Sequence, residues 1–238
     1  MIDIHSHILP SIDDGARSFE ESIEIIHELS SYGITDIIAT PHFIKETYFT
    51  SSVAKNKALL KELKIQLKTH GIKTNIYLGN EIYVDEDISK LIKSKQITSL
   101  NNSKYLLIEL PLNEEFPNYS DHFLSLMNQG YKVILAHPER YAITQKDYTI
   151  LEDLHEIGVL FQCNLGSAYG KYGKPAQKLL KKLAKDNRIF AFGSDAHHPG
   201  SARHFNTTFK KLSKYYNKDD LQKVLVNNPR KLLHPNHT

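Results

Sequence analysis

MIDIHSH, residues 1–7, is a short apolar run that ends in two histidines one residue apart. Extended chain points side chains i and i+2 to the same face, so His5 and His7 can turn both imidazoles toward one ion. Working outward, short runs rich in Ile, Val or Leu recur at Asp36 to Thr40, Asn75 to Gly79, Tyr105 to Leu110, Lys132 to Ala136, Val159 to Cys163 and Ile189 to Gly193. With Met1 to Ile4 they read as buried strands. Segments of helical spacing lie between them. In the first, Ser18 and Glu21 predict a capping box, Ile23, Ile26 and Leu29 share a face, and Gly33 stops the helix. Others run from about Ser52 to Thr69, Asp85 to Lys93, Tyr119 to Asn128, Asp147 to Ile157 and Pro175 to Asp186. Strand and helix alternate about seven times, which predicts an α/β fold with a parallel sheet. Closed on itself, that sheet is a distorted (β/α)7 barrel, TIM-like but one unit short of eight.

The chain has 238 residues, of which 40% are hydrophobic and 24% charged. That is enough to bury a full core, and the expectation is a single domain over residues 1–238. MIDIHSH has neither a basic n-region nor an apolar h-region, and no stretch approaches the roughly 18 uninterrupted apolar residues of a membrane span. A cytoplasmic location without membrane insertion is expected. Cys163 is the single cysteine, so an internal disulfide and a thiolate metal site are both excluded. The net charge of +3 is too small to argue for nucleic acid. Lys178, Lys181, Lys182 and Lys185 cluster on one predicted helix, as a solvated face or as a surface for an acidic partner.

Thirteen histidines are many for this length, and their positions are not random. His5 and His7 follow the first strand, His42 the second, Glu81 the third and His137 the fifth. Glu109 sits near the end of the fourth, and Asp195 and His197 follow the seventh. In a parallel barrel the C-terminal ends of all strands meet on one face, so these residues converge there. A lone histidine is more often a hydrogen-bonded core or surface residue, but that reading fails for a whole set at strand ends. All donors are imidazole or carboxylate, which suits Mn, Fe, Zn or Co. Their number exceeds the needs of one ion. A bridging carboxylate such as Glu81 would give a multinuclear centre with metals roughly 3.5 to 4 Å apart.

The motifs IDIHSH, TPH at Thr40 to His42, GNEIY at Gly79 to Tyr83, AHPERY at Ala136 to Tyr141 and GSDAH at Gly193 to His197 resemble the PHP (polymerase and histidinol phosphatase) superfamily. IDDGARS at Ile12 to Ser18, HPERY and NNPRKLL at Asn227 to Leu233 are similar to the bacterial tyrosine-protein phosphatases that regulate capsular and exopolysaccharide synthesis. The resemblance implies a PHP barrel with three metal ions, Mn2+ first among the candidates. His5, His7, Glu81 and Asp195 would hold one ion, and Glu81, Glu109 and His137 a second. His42, His197 and Asp14 would hold the third; Asp14 directly precedes Gly15, as the family ligand does, and Asp13 is the alternative. Arg140 and Arg203 resemble the family's phosphate-binding arginines, a role suited to the fork of guanidinium donors. The partner implied is the phosphotyrosine tail of a bacterial tyrosine kinase.

The expected chemistry is in-line attack by a hydroxide whose parent water is acidified from pKa 15.7 to about 7 by the metals, with no covalent phosphoenzyme. A cysteine phosphatase is excluded, because Tyr169 stands six positions after Cys163 where an arginine is required. A small-molecule phosphatase acting on histidinol phosphate is the alternative substrate reading, since only rim loops would differ. An amidohydrolase would leave the arginines and Asp195-x-His197 without a task. A binding module that had lost activity would show substituted ligands, and a nuclease would need a basic stripe with interleaved aromatics.

Overall fold

The computed structural model describes residues 1–113 and 118–234. Its strands are β1 Ile2–Ser6, β2 Asp36–Ala39, β3 His42–Phe43, β4 Asn75–Leu78, β5 Glu81–Tyr83, β6 Tyr105–Glu109, β7 Lys132–Ala136, β8 Leu160–Asn164 and β9 Ile189–Gly193. All pairings are parallel, as the alternation with helices requires. They form a three-stranded sheet, β1-β2-β4, and a six-stranded sheet, β3-β5-β6-β7-β8-β9.

Two of the expected strands, Asp36 to Thr40 and Asn75 to Gly79, are each continued past a break by a further short strand. Pro41 lacks an N–H and interrupts the second strand between β2 and β3. The third breaks at Gly79-Asn80, where Asn80 Nδ2 donates to Pro41 O at 3.1 Å and Asn80 Oδ1 accepts from Thr98 N at 2.9 Å. Backbone pairing still crosses the break, through Gly79 N to Ala39 O at 2.8 Å and Glu81 N to Pro41 O at 3.2 Å. The two sheets are therefore one curved wall with a kink. Its far edge returns to its near edge through Asp195 N to His5 O and His7 N to Ala196 O, both 2.9 Å, and one bridge between Ser6 and Ala196. This thin seam is the distortion of the barrel.

Alternate residues of each strand enter different cores. Ile4, Ile38, Leu107, Ile134 and Ala191 face one another inside the wall. Ile37, Leu106, Ile108, Val133 and Leu135 face outward into the layer of helices. That is the period of two expected of strands buried on both faces. Leu100 and Leu232 join the inner core near the strand starts, and Asn101 Nδ2 donates to Leu232 O at 3.1 Å. The NNPRKLL segment is thus a plug at the end of the barrel away from the metal-competent residues.

The first helix, Phe19–Ser31, is N-capped by Ser18, whose hydroxyl accepts from Glu21 N at 3.3 Å. The expected capping box is one-sided: the Glu21 carboxylate accepts from Arg17 N at 2.9 Å and Arg17 Nε at 2.8 Å. Its buried face is Ser22, Ile25, Ile26 and Leu29, leaving Ile23 at the margin. Each of those apolar side chains contributes on the order of 2 kcal/mol by leaving water. Gly33 ends the helix at φ 83°. The third predicted helix begins only at Ile88, because Asp85 Oδ1 accepts from Asp87 N at 2.7 Å and makes a turn instead. Among the described residues, no helix is long and apolar enough to cross a membrane.

Candidate metal centre

The strand ends, and the short strands β3 and β5 that continue two of them, bring the candidate ligands to one rim. His5 lies in β1 with His7 just beyond it, His42 opens β3, Glu81 opens β5, Glu109 ends β6, His137 follows β7, and Asp195 lies two residues past β9. His137 and Asp195 take positive φ, 32° and 50°, a conformation that non-glycine residues keep only where surrounding structure enforces it. The Asp13-Asp14-Gly15 turn folds over His7, with Ala16 N donating to His7 O at 3.0 Å. A Cβ on Gly15 would meet that same oxygen at 2.1 Å, so only glycine fits.

Glu81 is the hub. Its Oε2 lies 3.1 Å from His5 Nε2, 3.2 Å from His7 Nε2 and 3.1 Å from His42 Nδ1, and its Oε1 lies 3.0 Å from His137 Nε2. Asp195 Oδ1 stands 3.7 Å from both His5 Nε2 and His7 Nε2. Glu109 approaches His137 at 3.5 Å and His42 at 3.7 Å. Asp14 Oδ1 is 3.5 Å from His42 Nε2 and 3.4 Å from His197 Nε2.

Three donor groups can be drawn with all donor atoms within 4.8 Å of one another: His7, Asp14, His42 and His197; His5, His7 and Glu81; His42, Glu81 and Glu109. They overlap more than the resemblance implies, since His7 also reaches the group around Asp14 and His42 the group around Glu109.

The outer partners turn each ring. Gln162 Oε1 lies 2.7 Å from His5 Nδ1 and Asp13 Oδ2 lies 2.8 Å from His7 Nδ1, so both rings present Nε2 to the centre. Burial opposes the charge on Glu81, yet His5 and His42 hold its carboxyl well below the usual range. Asp195 is likewise held down against burial, by the neighbouring His5 and His197 rings and by Arg140. Burial and the Glu81 charge push Glu109 well above the carboxylate range, and burial takes His137 down to about 4.

Asp13 and Asp14 divide their tasks. Asp14 faces the cluster, whereas Asp13 is buried behind it, accepting from His42 N at 3.1 Å and Gly15 N at 3.0 Å besides meeting His7. Arg140 Nη1 donates to Asp195 Oδ2 at 2.9 Å and its guanidinium lies 4.5 Å from the Tyr172 ring centroid. Arg203 is not brought into the cluster. It is exposed, and its charge is felt by Tyr169 and Lys171 at the rim.

Three residues absent from the sequence reading also serve the site. Tyr172 OH donates to Asp195 Oδ2 at 3.0 Å, Asn164 Nδ2 donates to the same oxygen at 2.6 Å, and Gln162 holds His5. Asn164 ends β8, so the strand-end rule that found the histidines also reaches it. Tyr172 stands in GKYGK, residues 170–174, whose glycines mark a turn but not its target.

These residues fit a metal cluster. Glu81 Oε2 is buried and has three imidazole nitrogens within 3.2 Å, yet makes a hydrogen bond to none of them. His42 Nδ1 is in the same position. Lone pairs that converge without hydrogen-bond geometry, from a set made only of nitrogen and oxygen, suit divalent cations.

The family model described as capsular polysaccharide synthesis, CpsB/CapC, matches residues 1–234. The chain belongs to that family. Tyrosine-protein phosphatase YwqE of Bacillus subtilis (strain 168) is 36% identical over 208 residues, covering 87% of this chain and 81% of the relative. Tyrosine-protein phosphatase CpsB of Streptococcus pneumoniae is 27% identical over 241 residues, covering 98% of each. A solved chain from the crystal structures of YwqE and CpsB, described as metal-dependent tyrosine phosphatases, superposes with a TM-score of 0.91 at 32% identity. That match covers 99% of this chain and 95% of the solved one. In this CpsB/CapC member the clustered donors are thus those of a family that contains metal-dependent enzymes.

Proposed function

We propose that this CpsB/CapC member is a metal-dependent tyrosine-protein phosphatase acting in the cytoplasm on the phosphotyrosine tail of a bacterial tyrosine kinase that regulates capsular or exopolysaccharide synthesis. The observation that carries the reading is Glu81 Oε2, enclosed by three imidazole nitrogens within 3.2 Å on the rim of a fold shared with metal-dependent tyrosine phosphatases. Three ions, Mn2+ first among them, would be held by His5, His7, Glu81 and Asp195, by Glu81, Glu109 and His137, and by Asp14, His42 and His197. Bound there, the ions supply a nucleophilic water at neutral pH and Lewis acidity toward the phosphoryl oxygens.

The side chains do the rest. Arg140, drawn to Asp195 and stacked on Tyr172, aims its remaining donors at a phosphoryl group beside the cluster. Arg203, on the rim, adds a second positive charge once a phosphoryl group draws it inward. A tyrosine phenol has an aqueous pKa of about 10 and leaves with little help from a general acid. Cys163 takes no part: it is buried, and burial and Glu139 push its thiol well above the usual value.

The test strips the protein of metal, restores Mn2+, and measures phosphate release from a phosphotyrosyl peptide, with His137→Ala and Arg140→Ala alongside. Release that needs metal and is lost in both variants supports the reading. Turnover of histidinol phosphate far above the peptide would overturn the substrate assignment.

A further inference from the structure

Four lysines share a groove of about 560 Å3 on the flank of the barrel. Lys146 comes from helix Ala142–Lys146, and Lys174, Lys178 and Lys182 from helix Gly173–Lys185; Tyr148 and Leu179 form an apolar floor, and no carboxylate lines it. Positions 174, 178 and 182 fall in one stripe of the helix, where like charges four residues apart repel. The ion pairs among the described residues include none of these four. Lys182 Nζ instead lies 3.4 Å from the centroid of the Tyr148 ring. Asp186 lies nearby but accepts from the Tyr148 hydroxyl at 2.7 Å, so among the described residues the row keeps its cations without an ion-pair partner.

The groove opens beside the metal centre. Lys174 follows Tyr172 by two residues, and Tyr172 reaches Asp195. On the other wall, Gln145 Nε2 donates to the carbonyl of Glu139, the residue before Arg140, at 2.8 Å. Lysines four apart on a helix are about 6 Å apart along its axis. Alternate side chains of an extended peptide are spaced by about 6.7 Å. The two periods match.

We propose that this groove binds an acidic stretch of polypeptide flanking the phosphotyrosine, with carboxylates at alternate positions of an extended chain meeting the lysine row. The proposal rests on the phosphatase reading for its purpose but not for its test. Tyr148 and Leu179 cover the peptide's apolar side, and the charges set preference among substrates rather than the chemistry.

Binding of a fluorescent peptide with Glu at alternate positions around an unphosphorylated tyrosine, read by anisotropy, needs no turnover and isolates the groove. The same peptide with Gln in place of Glu should bind more weakly, and the difference should shrink in high salt. Lys178→Glu with Lys182→Glu should weaken the acidic peptide about tenfold, two surface ion pairs being reversed, and Lys178→Gln with Lys182→Gln should do so less. For phosphorylated versions, the double reversal should raise KM for the acidic peptide alone, leaving kcat and p-nitrophenyl phosphate hydrolysis unchanged. Equal binding of the Glu and Gln peptides, or binding untouched by the double reversal, overturns the proposal. So does a variant that loses phosphatidylglycerol vesicles while keeping the peptide, which would make the groove a membrane contact. If no phosphopeptide is turned over while the anisotropy results hold, the phosphatase reading fails and the groove stands.

Discussion

Arg140 and Asp195 meet at 2.9 Å through Nη1 and Oδ2, while the other oxygen of Asp195 stands 3.7 Å from both His5 and His7. One carboxylate thus couples a guanidinium to the metal-competent rings. Removing that guanidinium should slow phosphate release by about 10²- to 10³-fold, the loss seen when one preorganised donor leaves a reaction centre. Arg140→Ala should still bind its full metal content by elemental analysis, and Arg140→Lys should not restore the rate, since an ammonium has no fork. A variant that loses metal together with activity would show that Arg140 holds the centre together instead.

Asp13 and Asp14 are adjacent in sequence and face opposite ways. Asp14→Asn should remove one equivalent of bound ion, because Asp14 is the carboxylate facing His42 and His197. Asp13→Asn should keep the ion count and weaken affinity by about 10- to 100-fold, as expected when the partner that orients a ligand is altered. Elemental analysis and metal titration distinguish the two; the reverse pattern would reassign the ligand.

Proton and metal compete for His7. Burial disfavours its charged ring, but Asp13 at 2.8 Å and Glu81 at 3.2 Å raise its pKa well above 6.5, and Glu81 raises His5 in the same way. The stripped, folded protein should then hold protons that the unfolded chain releases near pH 6.5. That stabilisation is complete below about pH 6.5 and is lost as pH rises through the raised folded values. Ion binding needs the same lone pairs, so it should expel these protons and strengthen as pH rises. Above about pH 6.5, the stripped protein's Tm should fall while the Tm gain on adding Mn2+ grows. Calorimetry in buffers of different ionisation heat should find proton release, and a count of zero would refute the coupling.

Gly193 closes β9 against the centre. A Cβ there would meet His5 Cβ at 2.6 Å and Gln162 Nε2 at 2.8 Å. Gly193→Ala should therefore destabilise the fold by about 1–3 kcal/mol, the range for overpacking. It should also weaken metal binding by displacing His5. Thermal unfolding with and without Mn2+ checks both, and an unchanged Tm would show that the wall yields more easily than its packing suggests.

Much of this was legible in the chain because a parallel strand-helix alternation has few outcomes: the strand ends must share a face, and His5, His42, Glu81, His137 and Asp195 lie at those ends. The short strands β3 and β5 were less visible, since the apolar runs end at Thr40 and Gly79 and the two or three residues past each break are too few to display a period. Tyr172 and Gln162 carry no signal of their own. They matter only because β8 and the turn before helix Gly173–Lys185 bring them to Asp195 and His5.

By itself, the sequence pointed to the residues with metal-binding chemistry and to the one rim where they gather, because side-chain chemistry and strand order are written in it. Tertiary structure alone decided which atom of each residue faces the centre: Asp14 inward and Asp13 behind His7, Arg140 on Asp195 and Arg203 at the edge, and four lysines in one groove beside them. The reason is that orientation depends on turn geometry and on contacts between residues far apart in the chain, and neither has a period that a sequence can display.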